Sequence, residues 1–382
     1  MDKKNKIALV IKTDGLEYDD RVRKEILSIQ KLYPSISFKI FAMLPENREM
    51  DGITSYGIPY KTVYIPARDK YSSAQKTMLK AYQFYKAIKR ELKEFDAIWA
   101  ANVDTSFVPL LMPHERILWD LHELPEIYLK NPITRIMLIC IFNRCRVVVH
   151  ANPQRMQYLN SIGVINDISK HFSLRNYPNF EEVNAGFDEM FKVFVEWKGN
   201  RKCVYLQGLN MPRRAPLESI SAVMDMPELC AVVVGGFDNK IKKCLEELYG
   251  NDLQKRVLFV GKIPQLKIPQ FVGQCFMSLI FYKNVNKNNY FCEANRFYQS
   301  VIMGLPVVVG NNPSMKDLVD EYGLGVSIND DGCSINAIKD GMLQVIKEYD
   351  TYYKNIIENR NKLLWDNQET RIIEIVEKLF AD

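Results

Sequence analysis

The feature that most constrains the fold is a stretch in the C-terminal third of the chain, residues 294–313. Residues 295–303 predict an amphipathic helix, which Gly304 ends. Pro306 then precedes the β-branched run 307–309 and a polar turn. This order of helix, break and short buried strand is the repeating unit of a doubly wound sheet, in which phosphate groups bind at helix N-termini near the carboxyl ends of strands. The start of this helix is therefore a candidate anion site; an ordinary amphipathic helix with a glycine cap is the alternative.

Short apolar runs recur along the whole chain and alternate with segments of helical periodicity. Predicted strands cover residues 7–11, 38–42, 96–100, 117–119, 146–150, 203–207, 231–234, 257–261, 276–282 and 307–309. Predicted helices include residues 20–32, 133–144 (read as a buried helix), 216–224 and 356–380. With 382 residues, 47% of them hydrophobic and 25% charged, the chain is long enough for two α/β domains with sizeable cores.

Composition narrows the class of protein. A net charge of +5 argues against a dedicated nucleic-acid binder. The eight cysteines have no Cys-x-x-Cys spacing and no neighbouring histidines, which favours reduced thiols in a cytoplasmic protein and predicts no metal site. The longest apolar run, residues 136–142, is far shorter than the roughly 20 residues of a membrane span. No apolar segment typical of a signal peptide follows the first lysines, so we expect a soluble protein.

The most informative polar segment of the N-terminal half follows the predicted strand 117–119. That strand is expected to deliver Asp120, His122 and Glu123 into a loop. A histidine both donates and accepts protons near neutral pH, and its strand-end position beside two acids makes His122 a candidate catalytic residue. Asp120 and Glu123 are candidates to orient it or to contact a substrate. The alternative is a structural histidine.

The stretch 294–313 resembles the donor-binding segment of GT-B glycosyltransferases, particularly family 4, whose pattern is P-N-K-[LF]-[FW]-E-[YA]-x-A-x-G-x-P-V. The matching residues are Asn295, Arg296, Tyr298, Gln299, Gly304, Pro306 and Val307. Gln299 replaces the family glutamate that grips the ribose, and it keeps an acceptor oxygen without the charge. The second carboxylate of the family pattern falls at Phe291, and Glu293 lies close enough in sequence to substitute.

The resemblance extends over nearly the whole chain in order. Asp20 or Asp19 with Arg21 and Val22 loosely match an Asp-x-Arg-Val segment, 120–123 matches a D-x-H-E segment, and 175–179 resembles the end of the family's N-terminal domain. The loop after residue 207 resembles the family's donor loop, whose cations neutralise the diphosphate. The corresponding cation in this chain is Arg213 or Arg214. The alternative is that both are surface arginines next to a proline. The implied donor-binding residues are Gly208, Asn210, Arg213, Arg214, Gly235, Ile263 (base), Asn289, Tyr290, Glu293, Asn295, Arg296 and Gln299.

The fold that this resemblance implies is α/β with GT-B architecture, two Rossmann-like doubly wound domains facing a central cleft. The implied bounds are 1–178 for the acceptor domain, 179–200 for a linker, 201–350 for the donor domain and 351–382 for helices that cross back. Gly15 and Arg21 are expected to line the cleft, although a surface ion pair is an equal alternative for Arg21.

The function that the resemblance implies is a retaining, metal-independent transfer of a sugar from a UDP- or GDP-linked donor to a hydroxyl of a glycan or lipid-linked acceptor. Such a reaction belongs to surface polysaccharide or glycoconjugate synthesis and needs no cofactor beyond the nucleotide-sugar substrate. The alternatives are a nucleotide-sugar epimerase of the same fold and a non-catalytic GT-B subunit that partners another transferase. The missing pair of glutamates keeps the second alternative open.

Residues 70–93 form a predicted helical stretch. It contains seven lysines and arginines and one acidic residue, Glu91, together with apolar residues such as Leu79 and Tyr82. A basic amphipathic helix in this position resembles the membrane-docking face of enzymes that glycosylate lipid-linked acceptors. It predicts peripheral association with an anionic membrane on its cytoplasmic side. A solvated lysine face over an ordinary core stripe is the equal alternative.

Overall fold

The structure is a computed structural model, which describes residues 5–13, 16, 19–44, 48–72, 75–179, 189–264 and 267–381. The chain forms two compact units: residues 1–176 with 368–382, and residues 177–367. Each unit has its own mainly parallel sheet covered by helices, as the sequence predicts. The predicted site residue Gly15 lies outside the described residues.

Unit 1 contains an eight-stranded sheet in the order β3-β4-β2-β1-β5-β6-β7-β8. The strands are β1 Lys6–Lys12, β2 Ser37–Met43, β3 Met50–Ile53, β4 Pro59–Thr62, β5 Ala97–Ala101, β6 Ile117–Leu121, β7 Val147–His150 and β8 His171–Ser173. β3 pairs antiparallel to β4, and the other neighbours are parallel. The central strands are buried along their length, as expected for a parallel sheet covered on both faces.

The helices of unit 1 are α1 Asp20–Leu32, α2 Pro66–Lys70, α3 Thr77–Ile88, α4 Phe107–Leu111, α5 Glu126–Leu129, α6 Pro132–Arg144, α7 Pro153–Ser161 and, at the end of the chain, Glu369–Phe380. α1 begins where Asp19 accepts a hydrogen bond from the Val22 amide, so the side chain caps the helix start. Its apolar face is buried through Val22, Ile26 and Ile29, all at most 2% exposed.

Unit 2 contains a six-stranded, all-parallel sheet in the order β11-β10-β9-β12-β13-β14. The strands are β9 Lys202–Gln207, β10 Leu229–Val234, β11 Val257–Gly261, β12 Met277–Ile280, β13 Val307–Val309 and β14 Gly325–Ser327. The helices of unit 2 are α8 Glu189–Lys198, α9 Pro216–Met224, α10 Asn239–Tyr249, α11 Asn251–Arg256, α12 Ile268–Val272, α13 Lys287–Tyr290, α14 Asn295–Ile302, α15 Pro313–Tyr322, α16 Ile335–Lys347 and α17 Tyr349–Asn359. The last helix of the chain, Glu369–Phe380, is α18 and belongs to unit 1.

Several elements differ from their prediction. Within 70–93 the helix covers only Thr77–Ile88, and Lys80 on it is buried rather than solvated. α6 is not a buried helix, because Ile133 and Ile136 are 75% and 61% exposed. Residues 189–198 of the predicted linker form α8, whose Phe191 and Phe194 pack into the core of unit 2. In the described part of the chain, no helix combines the length and the apolar character needed to cross a membrane.

Candidate active site

The switch points of the two sheets set where ligands are expected. In unit 1 the strand order reverses between β1 and β5, and in unit 2 it reverses between β9 and β12. In open α/β sheets, ligands bind outside the carboxyl ends of strands at such points. The loops that follow these strands are therefore the first places to examine in each unit.

A buried charge cluster lies at this edge of unit 1. The Asp120 side chain, 0% exposed, accepts a hydrogen bond of 3.0 Å from Arg21 Nη2. Arg21 also forms an ion pair of 2.9 Å with Glu25, one helical turn further along α1, and donates from Nη1 to the carbonyl of Leu174 at 2.8 Å. Asp120 belongs to β6 itself, so the prediction that it enters the following loop is wrong. Arg21 is 5% exposed, which excludes the surface ion pair left open by the sequence.

Three contacts fix His122 at the end of β6. Its Nε2 lies 3.0 Å from Asp120 Oδ2, and its backbone amide donates to Asn102 Oδ1 at 3.0 Å. Its carbonyl accepts a hydrogen bond of 2.5 Å from Arg155 Nη1. The His122 side chain keeps 19% of its surface exposed, so the imidazole is held from one side and accessible from the other. Glu123 is exposed and belongs to none of the ion pairs seen among the described residues.

Asn102, at the end of β5, adopts an unusual backbone conformation with φ +62° and ψ 178°. Its amide donates to the carbonyl of Asp120 at 2.7 Å, and its own carbonyl accepts from the Trp119 indole at 2.9 Å. This backbone region is costly for any residue but glycine. In this conformation its side-chain oxygen accepts the hydrogen bond from the His122 amide. The sequence analysis missed Asn102, and its place directly after a predicted strand was the available signal.

The two carboxylates of the unit 1 cluster differ in their electrostatics. Burial alone would raise the pKa of Asp120, but Arg21 and His122 outweigh it and hold that pKa well below its usual range. Burial and the charge of Asp120 together raise the pKa of Glu25 well above its usual value. Ligand atoms of Glu25, Asp120 and His122 lie within 4.8 Å of one another, an arrangement that can hold a metal ion. The Arg21 guanidinium already bonds both carboxylates and supplies the positive charge there.

In unit 2, the loop after β9 places two of the predicted donor residues, Gly208 and Arg214, in contact with each other. Gly208 has φ +64°, and its carbonyl accepts a hydrogen bond of 2.6 Å from Arg214 Nη1. Gly235, after β10, has φ +95°, and a Cβ there would lie 3.4 Å from the Gly208 backbone. The two glycines therefore allow the two loops to approach closely. Asn210 is exposed, and Arg213 is half-buried beside Arg214.

Arg296 lies under this loop rather than on its surface. Its side chain is almost fully buried and donates to the carbonyls of Gln207 and Phe281. The guanidinium also lies 5.0 Å from the ring centroid of Tyr282, which Arg214 approaches to 5.6 Å from its own position. Burial and the nearby charge of Arg214 lower the pKa of Arg296. Arg296 thus ties the end of β9 to the end of β12 and adds positive potential beneath the loop.

The N-terminus of α14 lies in the same unit, as the sequence predicts. It begins at the exposed Asn295, and its N-cap is Ala294, whose side chain has no acceptor to cap the helix. The side-chain oxygen of Gln299 is buried and has no hydrogen-bond partner among the residues the structure describes. Glu293 and Tyr290 are half-buried, and Asn289 is buried with its amide nitrogen donating to the Lys283 carbonyl at 3.4 Å.

Two unit 2 residues near this helix were missed by the sequence analysis. Lys283, which follows β12, donates its backbone amide to the Arg213 carbonyl at 2.7 Å, and its Nζ pairs with Glu218 at 2.5 Å. The fully buried Asn312 donates from Nδ2 to the carbonyls of Tyr282 and Asn289 and so holds the loop that carries Tyr290. Ile263, the predicted base contact, packs against the unit 2 core.

Comparison with known proteins gives matches by structure only. No family model matches the sequence, and no curated protein matches it. Sucrose-phosphate synthase from Thermosynechococcus elongatus aligns over 99% of both chains with a TM-score of 0.77 and 15% identity. HepE of Anabaena in complex with UDP-glucose covers 98% of this chain and 99% of its own, with a TM-score of 0.67 and 15% identity.

A third similar structure is an α,α-trehalose-phosphate synthase (UDP-forming) from Burkholderia vietnamiensis. It covers 99% of this chain and 98% of its own, with a TM-score of 0.73 and 10% identity. All three similarities extend over nearly the whole of both chains at sequence identities of 10% to 15%. This confirms the predicted fold class: the chain has the GT-B fold of these glycosyltransferases.

Proposed function

We propose that the protein is a glycosyltransferase that moves a sugar from a UDP-linked donor to a hydroxyl of an acceptor. The observation that carries this proposal is the unit 2 cluster of Gly208, Arg214 and Arg296 at the switch point of the sheet, with the start of α14 in the same unit. Solved structures of the same fold include a protein in complex with UDP-glucose and a UDP-forming synthase, which supports a uridine nucleotide over a guanosine one.

Neutralisation of the diphosphate is the part of the reaction assigned to unit 2. As the bond between sugar and diphosphate breaks, negative charge grows on the leaving group, and cations fixed in place stabilise that charge. Arg213 and Arg214 are the proposed phosphate ligands, with Lys283 next to them and Arg296 raising the potential from below. Asn295 and the first amides of α14 add the positive end of the helix dipole.

His122 is the proposed contact to the reacting sugar. Because the Asp120 carboxylate stays ionised, it accepts a hydrogen bond from Nε2–H, and neutral His122 then keeps an unprotonated Nδ1. That nitrogen accepts a hydrogen bond from a sugar hydroxyl. We propose retention of the anomeric configuration and independence of a metal on the resemblance to family 4. Asn289, Tyr290, Glu293 and Gln299 are the proposed sugar and ribose contacts, with Gly235 and Ile263 near the base.

One observation favours a second candidate, a non-catalytic subunit of the same fold. Gln299 and Phe291 stand where the family pattern has two carboxylates, so neither position offers a negatively charged group to the ribose. The buried oxygen of Gln299 without a partner among the described residues still offers a ribose hydroxyl an acceptor, which supports donor binding. The two candidates differ in whether a nucleotide binds at all.

Isothermal titration with UDP, GDP and their sugars, followed by a hydrolysis screen, tests the proposal. We expect UDP to bind, and Arg214→Gln to weaken its affinity at least about tenfold, since a charge-assisted contact to phosphate is lost. His122→Ala should keep UDP affinity and lower turnover about 100-fold or more. Lys240→Gln, an exposed lysine of α10, and His114→Ala are the matched controls. A chain that binds no nucleotide at all contradicts the proposal and favours the non-catalytic subunit.

Peripheral membrane association is proposed for the surface formed by α3, α4 and α6. α4 contacts both other helices, and Leu79, Tyr82, Leu111, Ile133 and Ile136 are exposed there. Exposed lysines such as Lys86 and Lys89 flank this surface, and a mix of apolar and basic groups suits the interface of an anionic membrane on the cytoplasmic side. Lipid-linked acceptors of polysaccharide synthesis would be reached from such a position.

Liposome co-sedimentation tests this membrane surface. With vesicles containing anionic lipid, Lys86→Glu with Lys89→Glu should reduce binding, and Ile136→Asp should reduce it further because an exposed apolar group is lost. Lys240→Glu serves as the control for a lysine reversed elsewhere. Sedimentation that is equal for all of these variants would rule the surface out.

A further inference from the structure

A network of polar side chains joins the loops that follow β12, β13 and β14 in unit 2. Asn284, after β12, donates its backbone amide to Asp331 Oδ2 at 2.7 Å and its side-chain Nδ2 to Asn311 Oδ1 at 3.0 Å. Asn311, after β13, donates its own backbone amide to the carbonyl of Asp330 at 2.8 Å. Asp330 and Asp331 belong to the loop after β14. Three loops from different parts of the sequence are thus hydrogen-bonded to one another at the carboxyl edge of this sheet.

The buried Asn312 holds the two ends of the loop after β12 together. Its side chain is 0% exposed, and its Nδ2 donates to the carbonyl of Tyr282 at 3.1 Å and to that of Asn289 at 3.0 Å. These carbonyls flank the segment 283–288, so one amide group bonds both ends of it. The same Nδ2 lies 3.3 Å from Asn284 Oδ1, which connects Asn312 to the network.

The segment 283–290, which this network holds, has little support from its own residues. Its helix α13 is four residues long, and isolated helices shorter than about 12 residues are only marginally stable in water. Asn284 and Val285 near its start are exposed. The segment nevertheless carries Asn289 and Tyr290, two of the proposed contacts to the donor sugar. Contacts of this kind discriminate between ligands only where neighbouring hydrogen bonds hold them to within about 0.5 Å.

We propose that Asn312 and Asp331 are positioning residues for the sugar end of the donor, acting through the segment 283–290 rather than by contact with the ligand. The identity of that ligand rests on the proposed function. The phosphate end depends less on this network, because Arg214 is held separately by a hydrogen bond to the carbonyl of Gly208. Loss of the network should therefore remove affinity that comes from the sugar and spare affinity for the nucleotide.

Isothermal titration with UDP and with UDP-glucose, UDP-galactose and UDP-N-acetylglucosamine tests the proposal on whichever sugar nucleotide the natural chain binds most tightly. Asp331→Ala removes the acceptor of the Asn284 amide and should weaken that binding about tenfold, with UDP affinity changed less than about twofold. Asp331→Asn keeps a side-chain oxygen that accepts the same hydrogen bond and should restore most of the affinity. Asp340→Ala, which removes an exposed carboxylate of α16, is the matched control and should change neither affinity.

Asn312→Ala should have a larger effect than Asp331→Ala, since two carbonyls at the ends of the segment lose one donor; if it fails to fold, the two Asp331 variants decide alone. Equal losses for UDP and for the sugar nucleotide overturn the proposal, as does an Asp331→Asn variant as impaired as Asp331→Ala. A natural chain that binds UDP but no sugar nucleotide more tightly than UDP refutes this inference alone. A natural chain that binds no UDP refutes the proposed function and this inference with it.

Discussion

The buried cluster around Arg21 allows two carboxylates to be removed one at a time, and we expect unequal results. Asp120→Asn removes the negative charge from a side chain with 0% exposure that holds both Arg21 and His122 at 3.0 Å. Breaking a buried ion pair by removing one partner costs about 3–5 kcal/mol. Removal of the Asp120 charge also removes one of the effects that raise the pKa of Glu25, so Glu25, 2.9 Å from Arg21, can ionise more readily and balance it. We therefore expect the lower end of that range, about 3 kcal/mol at pH 7.

Glu25→Gln should cost far less, although it removes a carboxyl group from the same cluster. Burial and the charge of Asp120 raise the pKa of Glu25, so both disfavour its charged form in the folded chain, and the uncharged amide of the same size avoids that cost. We expect a loss of at most about 1 kcal/mol. A raised carboxyl pKa contributes stability that is complete below the unfolded value and is lost as pH rises through the folded value. Glu25→Gln should therefore compare more favourably with the natural chain as pH increases.

The pH dependence of Asp120 has the opposite sign. Its folded pKa is depressed, so its contribution is complete above the unfolded value near 3.8 and is lost as pH falls further. Thermal unfolding followed by circular dichroism measures both effects. For a unit of this size 1 kcal/mol shifts Tm by about 2–4 °C, so Asp120→Asn should lower Tm by about 6–12 °C and Glu25→Gln by at most about 4 °C.

A control and a contrary result complete this test. Asp51→Asn removes an exposed carboxylate of the same unit and should leave Tm nearly unchanged. Equal losses for Asp120→Asn and Glu25→Gln would show that Arg21 does not distinguish the two carboxylates. An unchanged Tm for Asp120→Asn would show that the cluster is hydrated rather than buried, and the assignment of the His122 tautomer would fail with it.

Three other changes have defined outcomes. A ring nitrogen of His171 lies 2.9 Å from one of His150 in the core, and burial lowers the pKa of His171 to about 4 from a usual 6.5. The free energy of unfolding should therefore fall by up to about 3 kcal/mol as pH drops from 6.5 to 4. His171→Phe should make the stability measured by urea unfolding less dependent on pH over that range. Asn102→Ala should lower Tm more than Asn102→Gly, since only glycine tolerates φ +62° with ψ 178° without strain; equal values would contradict this. Gly208→Ala places a Cβ 2.7 Å from Arg214 Nη1 at a backbone position with φ +64°, so it should weaken UDP binding in titration and lower Tm by about 2–4 °C.

Much of the fold follows from local sequence. The helix 20–32 and the strands 257–261 and 307–309 match their predicted bounds. In these segments the apolar period, a capping residue and a following break all agree, so no distant contact is needed to define the ends. α14 begins at Asn295 as predicted, and the glycine and proline that follow the helix mark its end in the sequence.

Residues whose state depends on a distant partner were harder to predict. Asp120 was expected in a loop after a strand that ends at residue 119, and a carboxylate in a buried strand is costly without a partner. It lies in β6 because Arg21, 99 residues earlier in the chain, offers it a buried counter-charge. Lys80 was expected on a basic face turned either to a membrane or to solvent, and it is instead buried, with its Nζ donating to the carbonyl of Ser72.

The candidate residues of unit 1 share one geometric cause. A parallel sheet brings the carboxyl ends of its strands to a common edge, so polar residues placed directly after strands meet whatever their separation in sequence. Asn102 and His122 follow two adjacent strands, and each was visible in the sequence at such a position. The residues that hold this edge from the helices are Arg155, which donates to the His122 carbonyl, and Arg21, which pairs with Asp120 and Glu25. A polar residue inside an amphipathic helical pattern gives no sign of which strand end it will contact. Sequence thus locates the edge of a site of this kind, and the helices that cover the edge decide its charge.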